Sequence, residues 1–417
     1  MLKLRIGNIL DRMDNNMTEW KECKISDIGT VVGGATPSTK NKKNYENGDI
    51  PWITPKDLST FYGRYIKCGE RNITKEGFDS CSTRLLPKNS VLFSSRAPIG
   101  YVAIAENEMC TNQGFKSVIP NKNIDSLFLY YLLKFNKDKI ESMGSGTTFK
   151  EISGNTMKNI KVCIPSDIKG QKKIAEILGN IDDKIEKNRE INNNLEQQAK
   201  AIFKSWFIDL EPFDKKMPSD WKIGTIHDLA KDVICGKTPS TKKSEYYGFE
   251  IPFITIPDMH GKTYIVTTER YLSKLGASLQ PKKSLPKNSV CVSCIGTAGL
   301  VSLVSEESQT NQQINSIIPK DDFSPYYIYL LMQTLSNTIN KLGQSGSTIV
   351  NLNKSQFGKI QVTIPTLSVM LKFDEIISPL FKKILQNQKE NLKLISLRDS
   401  LLPKLLSGEL DVSNIDL

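Results

Sequence analysis

Long apolar runs are missing from this 417-residue sequence. No stretch approaches the roughly 18 uninterrupted apolar residues of a membrane helix, which excludes a helical membrane protein. The opening residues, MLKLRIGNILDRMDNN, carry charges throughout and lack the apolar centre of a secretory signal. A cytoplasmic protein is therefore expected. Histidine is nearly absent: His227 and His260 stand alone. Cys291-Val-Ser-Cys294 is the one CxxC, and no second CxxC or paired histidine completes the four ligands of a structural zinc. No metal site is expected. The eight cysteines are scattered, most of them in apolar, strand-like runs, and read as reduced core thiols rather than a disulfide framework.

Catalytic signatures are missing too. There is no GxxxxGK[ST] phosphate loop, no GxGxxG, and no Asn/Asp-Pro-Pro-aromatic tetrapeptide of an amino-methyltransferase. Pro257-Asp258 lacks a downstream Glu-x-Lys for a nuclease, and Asp182-Asp183-Lys184 reads as charge on a solvated helix face. The chain is expected not to be an enzyme by itself.

What is present is a soluble balance, with 39% hydrophobic and 24% charged residues. Fifty-six Lys and Arg against 45 Asp and Glu leave a net charge of +11. A mildly basic soluble surface and a polyanion partner are both compatible with that excess.

The strongest signal is self-similarity. Trp20-Lys21 recurs as Trp221-Lys222, and Ala35-Thr36-Pro37-Ser38-Thr39-Lys40 as Lys237-Thr238-Pro239-Ser240-Thr241-Lys242. Ile50-Pro51-Trp52-Ile53-Thr54 recurs as Ile251-Pro252-Phe253-Ile254-Thr255, and Leu86-Pro87-Lys88-Asn89-Ser90-Val91 as Leu285-Pro286-Lys287-Asn288-Ser289-Val290. Asn112-Gln113 returns as Asn311-Gln312, and Ile164-Pro165 as Ile364-Pro365. The chain is a tandem duplication of a unit of about 200 residues.

Each unit opens with an α+β globular part. Val91–Ser94 and Val290–Ser293 read as strands, Ser126–Lys139 and Pro325–Lys341 as amphipathic helices. A long helix follows. From Gln171 to Phe207 there is no Pro and one Gly, and Ile174, Leu178, Ile181, Ile185, Asn188, Asn192, Leu195, Ala199, Ile202 and Trp206 alternate in steps of four and three. That is a coiled-coil seam, on a helix of roughly 55 Å at 1.5 Å per residue. Phe373, Ile377, Leu380, Ile384, Asn387, Asn391, Leu394, Arg398, Leu401 and Leu405 repeat it, with Pro379 and Pro403 expected to kink or end that helix. Neither seam can face water, so the helices should pair with each other, most simply antiparallel. The expected architecture is two similar α+β domains separated by an antiparallel two-helix coiled coil, with pseudo-twofold symmetry. An antiparallel pair should set Asn188 against Asn391 and Asn192 against Asn387, a central polar layer that fixes register. The alternative is that these amides line a wet opening.

In its ordered motifs the chain resembles the specificity subunit of type I restriction-modification enzymes. The resemblance is carried by Trp20-Lys-Glu-Cys-Lys-Ile-Ser-Asp-Ile-Gly, Gly34-Ala-Thr-Pro-Ser, Pro51-Trp-Ile-Thr, Ser94-Ser-Arg-Ala-Pro-Ile-Gly100, Asn112-Gln and Ile164-Pro165. Leu195-Glu-Gln-Gln-Ala-Lys-Ala-Ile-Phe-Lys-Ser-Trp-Phe207 and Leu397-Arg-Asp-Ser-Leu-Leu-Pro-Lys-Leu-Leu-Ser-Gly-Glu-Leu410 complete it, so that it covers the chain from Met17 onward. Residues 1–16 precede a typical start and read as an extension or a misassigned beginning. The resemblance implies target recognition domains at 17–166 and 213–366, and spacer helices at 167–212 and 367–417. It implies double-stranded DNA as target, read as a bipartite, asymmetric site. It also implies two modification (methyltransferase) subunits and a restriction/translocase subunit as partners. S-adenosylmethionine, ATP and Mg2+ would then reside on those partners. A tandem protein-binding adaptor without DNA recognition is the rival reading.

Lys40, Asn41, Lys42 and Lys43 form a basic loop after Thr36, matched by Lys237, Thr238, Lys242 and Lys243. Phosphate contact and plain solvated surface are both open to them. Arg96 follows a strand among small residues and suits guanine, or else bridges the fold; its counterpart is Ile295. Thr147, Thr148, Ser347 and Thr348 lie in Ser/Gly/Thr loops with donors for phosphate, or in simple turns. Asn112, Gln113, Asn311, Gln312 and Gln313 have amides suited to adenine, yet they recur where base-reading residues should differ, and Asn112 and Asn311 are expected to be structural.

Overall fold

The computed structural model describes residues 19–96, 98–146, 150–344, 351–413 and 415. The extension expected at 1–16 lies outside them. The chain divides into two compact units, residues 1–186 with 393–417, and residues 187–392.

In the first unit a five-stranded sheet runs in the order Gly29–Gly33, Lys116–Pro120, Val91–Ser95, Ile99–Ala105, Tyr65–Ile66. The last pair is parallel and the others antiparallel. A three-stranded sheet (Arg71–Ile73, Ile50–Ile53, Cys110–Thr111) and a ribbon pairing Trp20–Lys24 with Lys161–Pro165 complete the strands. The second unit repeats this order. Its large sheet is Ala230–Cys235, Ile314–Pro319, Val290–Ser293, Val301–Val304, Tyr264–Ile265, beside Arg270–Leu272, Tyr247–Ile254, Gln309–Thr310 and the ribbon of Lys222–Thr225 with Gln361–Ile364. The duplication in sequence is a duplication of fold.

The repeated motifs have local reasons. In Leu-Pro-Lys-Asn-Ser-Val, Asn89 and Asn288 take the left-handed conformation (φ 70° and 68°), which Asn tolerates better than most residues. The next serine donates from Oγ to the proline carbonyl at 2.7 Å in both copies. Thr54 and Thr255 open short helices with capping boxes closed by Asp57 and Asp258. Asp258 also accepts from the Glu269 amide at 2.9 Å, so Pro257-Asp258 is a turn-building element. Each expected amphipathic helix is broken into two, Ser126–Phe135 with Lys137–Ser142 and Pro325–Thr334 with Ser336–Gly343. At the first break Asn136 turns its amide back onto the Leu132 carbonyl.

The long helices run Ile168–Phe207 and Leu367–Leu406, 40 residues each. The second continues through Pro379 and Pro403 instead of ending at them. Phe373, Ile377, Phe381 and Ile384, all buried in the second unit's core, hold it on both sides of Pro379. In that unit Asn188 Nδ2 donates to Asn391 Oδ1 and Asn387 Nδ2 to Asn192 Oδ1, each at 2.9 Å. Rising numbers on one helix meet falling numbers on the other, so the two segments are antiparallel. Asn188, Asn387 and Asn391 are buried, which removes the wet-opening alternative.

In the first unit the helix segments cover the core with Ile174, Ala175, Leu178, Leu405 and Leu406. Asp182 is not on a solvated face, as its charge suggested. It is buried, accepting from the Tyr131 hydroxyl and from Arg398 Nη1 at 2.7 Å each. Burial first, and then the neighbouring Asp182 charge, push the Tyr131 hydroxyl well up, so it stays a donor. Arg64, also buried, reaches Asp183, Glu186 (3.1 Å) and the Gly179 carbonyl (3.3 Å). The corresponding positions to Asp182 and Arg398 in the second unit are Phe381 and Ala199, both apolar core.

All eight cysteines are free. The core reading fits Cys110, Cys291 and Cys294; Cys68 and Cys163 are exposed and the rest half-buried. Burial pushes the Cys291 and Cys294 thiols up to about 12 and Cys110 to about 11. A raised thiol pKa leaves the neutral, unreactive form dominant through pH 8. Alkylation at pH 8 followed by mass spectrometry should therefore label Cys68 and Cys163 and leave Cys110, Cys291 and Cys294 unlabelled until the chain unfolds.

Asp182 is the buried member of its ion pair with the half-buried Arg398, so removing the arginine strands a buried carboxylate. Arg398→Leu should cost about 3–5 kcal/mol in urea unfolding, and Asp182→Leu with Arg398→Leu should recover most of it.

Candidate nucleic-acid interface

Two features of the first unit emerge from one end of its five-stranded sheet. Gly33 pairs with Lys116, and the loop carrying Lys40, Lys42 and Lys43 leaves the sheet there. Ser94 bridges to Phe115, one residue away, and Arg96 follows directly. In the second unit Cys235 pairs with Asn315 and Ser293 with Ile314. Lys237, Thr238, Lys242, Lys243 and Ile295 leave from that same end. Thr147, Thr148, Ser347 and Thr348 lie outside the described residues. Ser145 and Glu151, which flank the first of these two loops, pair with each other.

The loops are built as rigid platforms. Gly34 approaches the Thr111 and Asn112 carbonyls so closely that a Cβ would sit 2.1–2.2 Å from them; Gly236 does the same against Thr310 and Asn311, at 2.1–2.3 Å. Only glycine fits either place. The Thr36 hydroxyl donates to Gln113 Oε1, and Thr238 donates to Gln312 Oε1. The Tyr45 hydroxyl donates to the Pro37 carbonyl at 2.6 Å and Tyr247 to Pro239 at 2.9 Å. Carbonyl 35 accepts from Trp52 Nε1 (3.1 Å), while its counterpart at Lys237 accepts from Gln280 Nε2 (2.8 Å). Thr36, Thr238, Gln113 and Gln312 are thereby engaged in holding the loop.

Asn41 is engaged too. Its Oδ1 accepts from the Lys43 amide at 3.2 Å and its amide donates to Asn44. Asn112 and Asn311 each accept from an amide two residues on, at 2.9 and 3.0 Å, a turn role in both copies. What the platform leaves outward is positive charge: Lys40, Lys42, Lys43, Lys237, Lys242 and Lys243 are all exposed. Lys243 lies 4.0 Å from Glu245 and over the Tyr246 ring.

Arg96 is half-exposed. Its Nη1 is 3.8 Å from Glu151 Oε2, and Lys116 Nζ is 3.5 Å from Glu151 Oε1. Sequence reasoning missed Lys116 and Glu151, because only the fold brings residues 96, 116 and 151 together. An exposed cationic loop beside a cation held at a sheet end suits a polyanion, with lysines for phosphate and a planar guanidinium for a base edge. Among the described residues no group of three or more His, Cys, Asp or Glu could hold a metal ion, and no helix is long and apolar enough to cross a membrane.

The family model described as type I restriction modification DNA specificity domain matches twice, over residues 17–197 and 218–394. The chain is 36% identical over 414 residues to the type I restriction enzyme MjaIX specificity subunit of Methanocaldococcus jannaschii, covering 95% of each chain. It is 31% identical over 471 residues to the HindI specificity subunit of Haemophilus influenzae, covering 94% of this chain and all of the relative. The crystal structure of a type I restriction-modification S subunit from M. genitalium matches with a TM-score of 0.61 at 17% identity, over 94% of this chain and 97% of that one. At that identity the likeness is one of fold. The two matched spans and the full-length relatives place the chain in the type I restriction-modification DNA specificity subunit family.

Proposed function

We propose that each unit presents the lysine-bearing end of its five-stranded sheet to duplex DNA, and that the chain thereby reads a bipartite, asymmetric site. The observation that carries this reading is the same platform built twice, with exposed lysines on both copies and different side chains beside them. A shared frame gives both domains one way of meeting the phosphate backbone. Unlike side chains give each its own half-site.

The long helices set the distance between half-sites and dock two modification subunits. A restriction/translocase subunit joins that complex. S-adenosylmethionine, ATP and Mg2+ act on these partners, and the complex works in the cytoplasm. The specificity chain contributes recognition and leaves methylation and cleavage to the subunits it holds. An adaptor without DNA recognition would have no use for cationic loops on rigid platforms at matching sheet ends.

Replacing Lys40, Lys42 and Lys43 together with Ala should weaken filter binding across all duplex sequences. It should also flatten the slope of log affinity against log salt by roughly 0.9 for each phosphate that is no longer neutralised. An unchanged slope would remove this loop from the interface, and no salt-dependent binding by the parent chain would sink the reading as a whole.

The Asn layer carries a separate expectation. Asn387 Oδ1 is buried without a hydrogen-bond partner among the described residues, so the layer costs stability. Changing Asn188, Asn192, Asn387 and Asn391 to Leu should raise the urea midpoint. The same variant should select sites with a broader range of spacer lengths while each half-site is still read.

A further inference from the structure

Sequence-reading positions should keep their backbone frame between the two domains and change their side chains. One place does so at three residues together. In the first unit the Ser95 amide donates to the Gly114 carbonyl (2.7 Å), the Ile152 amide donates to the Ser95 carbonyl (2.9 Å), and Arg96 bridges to Glu151. In the second the Cys294 amide donates to the Gln313 carbonyl (2.8 Å), the Leu352 amide donates to the Cys294 carbonyl (3.0 Å), and Ile295 bridges to Asn351. The backbone is the same. The side chains it carries are Arg96, Lys116 and Glu151 in one domain and Ile295, Asn315 and Asn351 in the other.

We propose that this three-residue position is a base-reading site in both domains, selecting a G·C pair through Arg96 in the first half-site and an A·T pair through Ile295 and Asn351 in the second. The inference rests on the DNA-reading role proposed above and names the residues that discriminate. Arg96 is the first domain's reader. Its side chain is 36% exposed, and a guanidinium presents two donors to guanine O6 and N7. Glu151 and Lys116 are positioning residues: the carboxylate lies between the two cations, and the Lys116 side chain is only 15% exposed. In the second domain Asn315 is buried, donating from Nδ2 to the Leu352 carbonyl at 3.1 Å, and it fills the positioning place. Ile295 is half-buried and apolar, suited to a thymine methyl. Asn351 is exposed, with an amide suited to adenine N6 and N7. The paired Thr36–Gln113 and Thr238–Gln312 contacts are the control: they are alike in both domains and so cannot tell two half-sites apart.

The test is selection from a randomised duplex library by the full chain assembled with its modification subunits. Arg96→Ala should reduce discrimination at one position of one half-site by roughly five- to a hundredfold, with the other half-site unchanged. Arg96→Lys keeps the charge but not the planar fork, and should lose part of that discrimination with the parent salt slope. Arg96→Ile with Glu151→Asn should move that position toward A·T. Parent selection at both half-sites in all three variants would overturn the inference, and so would a uniform loss of affinity with every preference retained, because Arg96 would then be a phosphate contact. Should the parent chain select no sequence at all, it is the DNA-reading role that fails. Glu151→Gln, which removes the ion pair but keeps the shape, should weaken the preference less than Arg96→Ala. Equal effects would make Arg96 a structural residue and overturn its role as reader.

Discussion

Two 40-residue helices carry apolar seams that water will not tolerate, and their antiparallel contact is the constraint on which both units depend. In each unit a segment of one helix and a segment of the other close over the core of an α+β domain. Phe203 and Phe373 meet in one of them, with ring centroids 6.2 Å apart. A purely apolar seam could slide by a turn at little cost. Polar groups remove that freedom, because each must find its partner or lie buried and unpaired. Asn188 with Asn391, and Asn192 with Asn387, each form an amide–amide hydrogen bond in a single alignment.

The duplication does for this chain what a comparison among relatives would do elsewhere. Features that return in both domains belong to the frame: the glycine against the carbonyls, the threonine on the glutamine, the tyrosine on the proline carbonyl, the asparagine in its turn. The frame can also be met by different means, as when Trp52 and Gln280 serve corresponding carbonyls. Features that differ on an unchanged backbone are where the two domains can do different things. The sheet end at residues 96, 116 and 151 is such a place, and its second-domain version shares none of its charges.

The duplication, the α+β class, the helix seam and the facing asparagines were all readable from residue order, because each is a matter of spacing along the chain. The misreadings came from contacts between distant residues. Asp182 looked like solvated charge, and its partners Tyr131 and Arg398 are 51 and 216 residues away. Arg64 gave no signal at all, since its carboxylates lie on a helix more than a hundred residues later. Pro379 breaks local helix logic, but burial of Phe373, Ile377 and Phe381 outweighs the lost hydrogen bond. Among the candidate DNA contacts, composition pointed to lysines that are exposed in both units. It could not tell Thr36 and Asn41, which are hydrogen-bonded within the loop, from side chains left free.

The buried groups also make the two halves unlike where their backbones are alike. Asp182 meets Arg398 in one unit, while the corresponding residues of the other, Phe381 and Ala199, contribute a ring and a methyl group to an apolar core. Each pair is complementary within itself and not across copies. On the swapped pairing of the two helices, Asp182 against Phe381 would be a buried carboxylate without a cation, while Arg398 against Ala199 would keep only its exposed neighbour Asp399. The stranded carboxylate costs several kcal/mol, more than a surface ion pair could return. The charge pair thus does more for choosing which helix segments belong together than for stability itself, because a well-packed apolar substitute could hold one unit as firmly but would no longer distinguish it from the other.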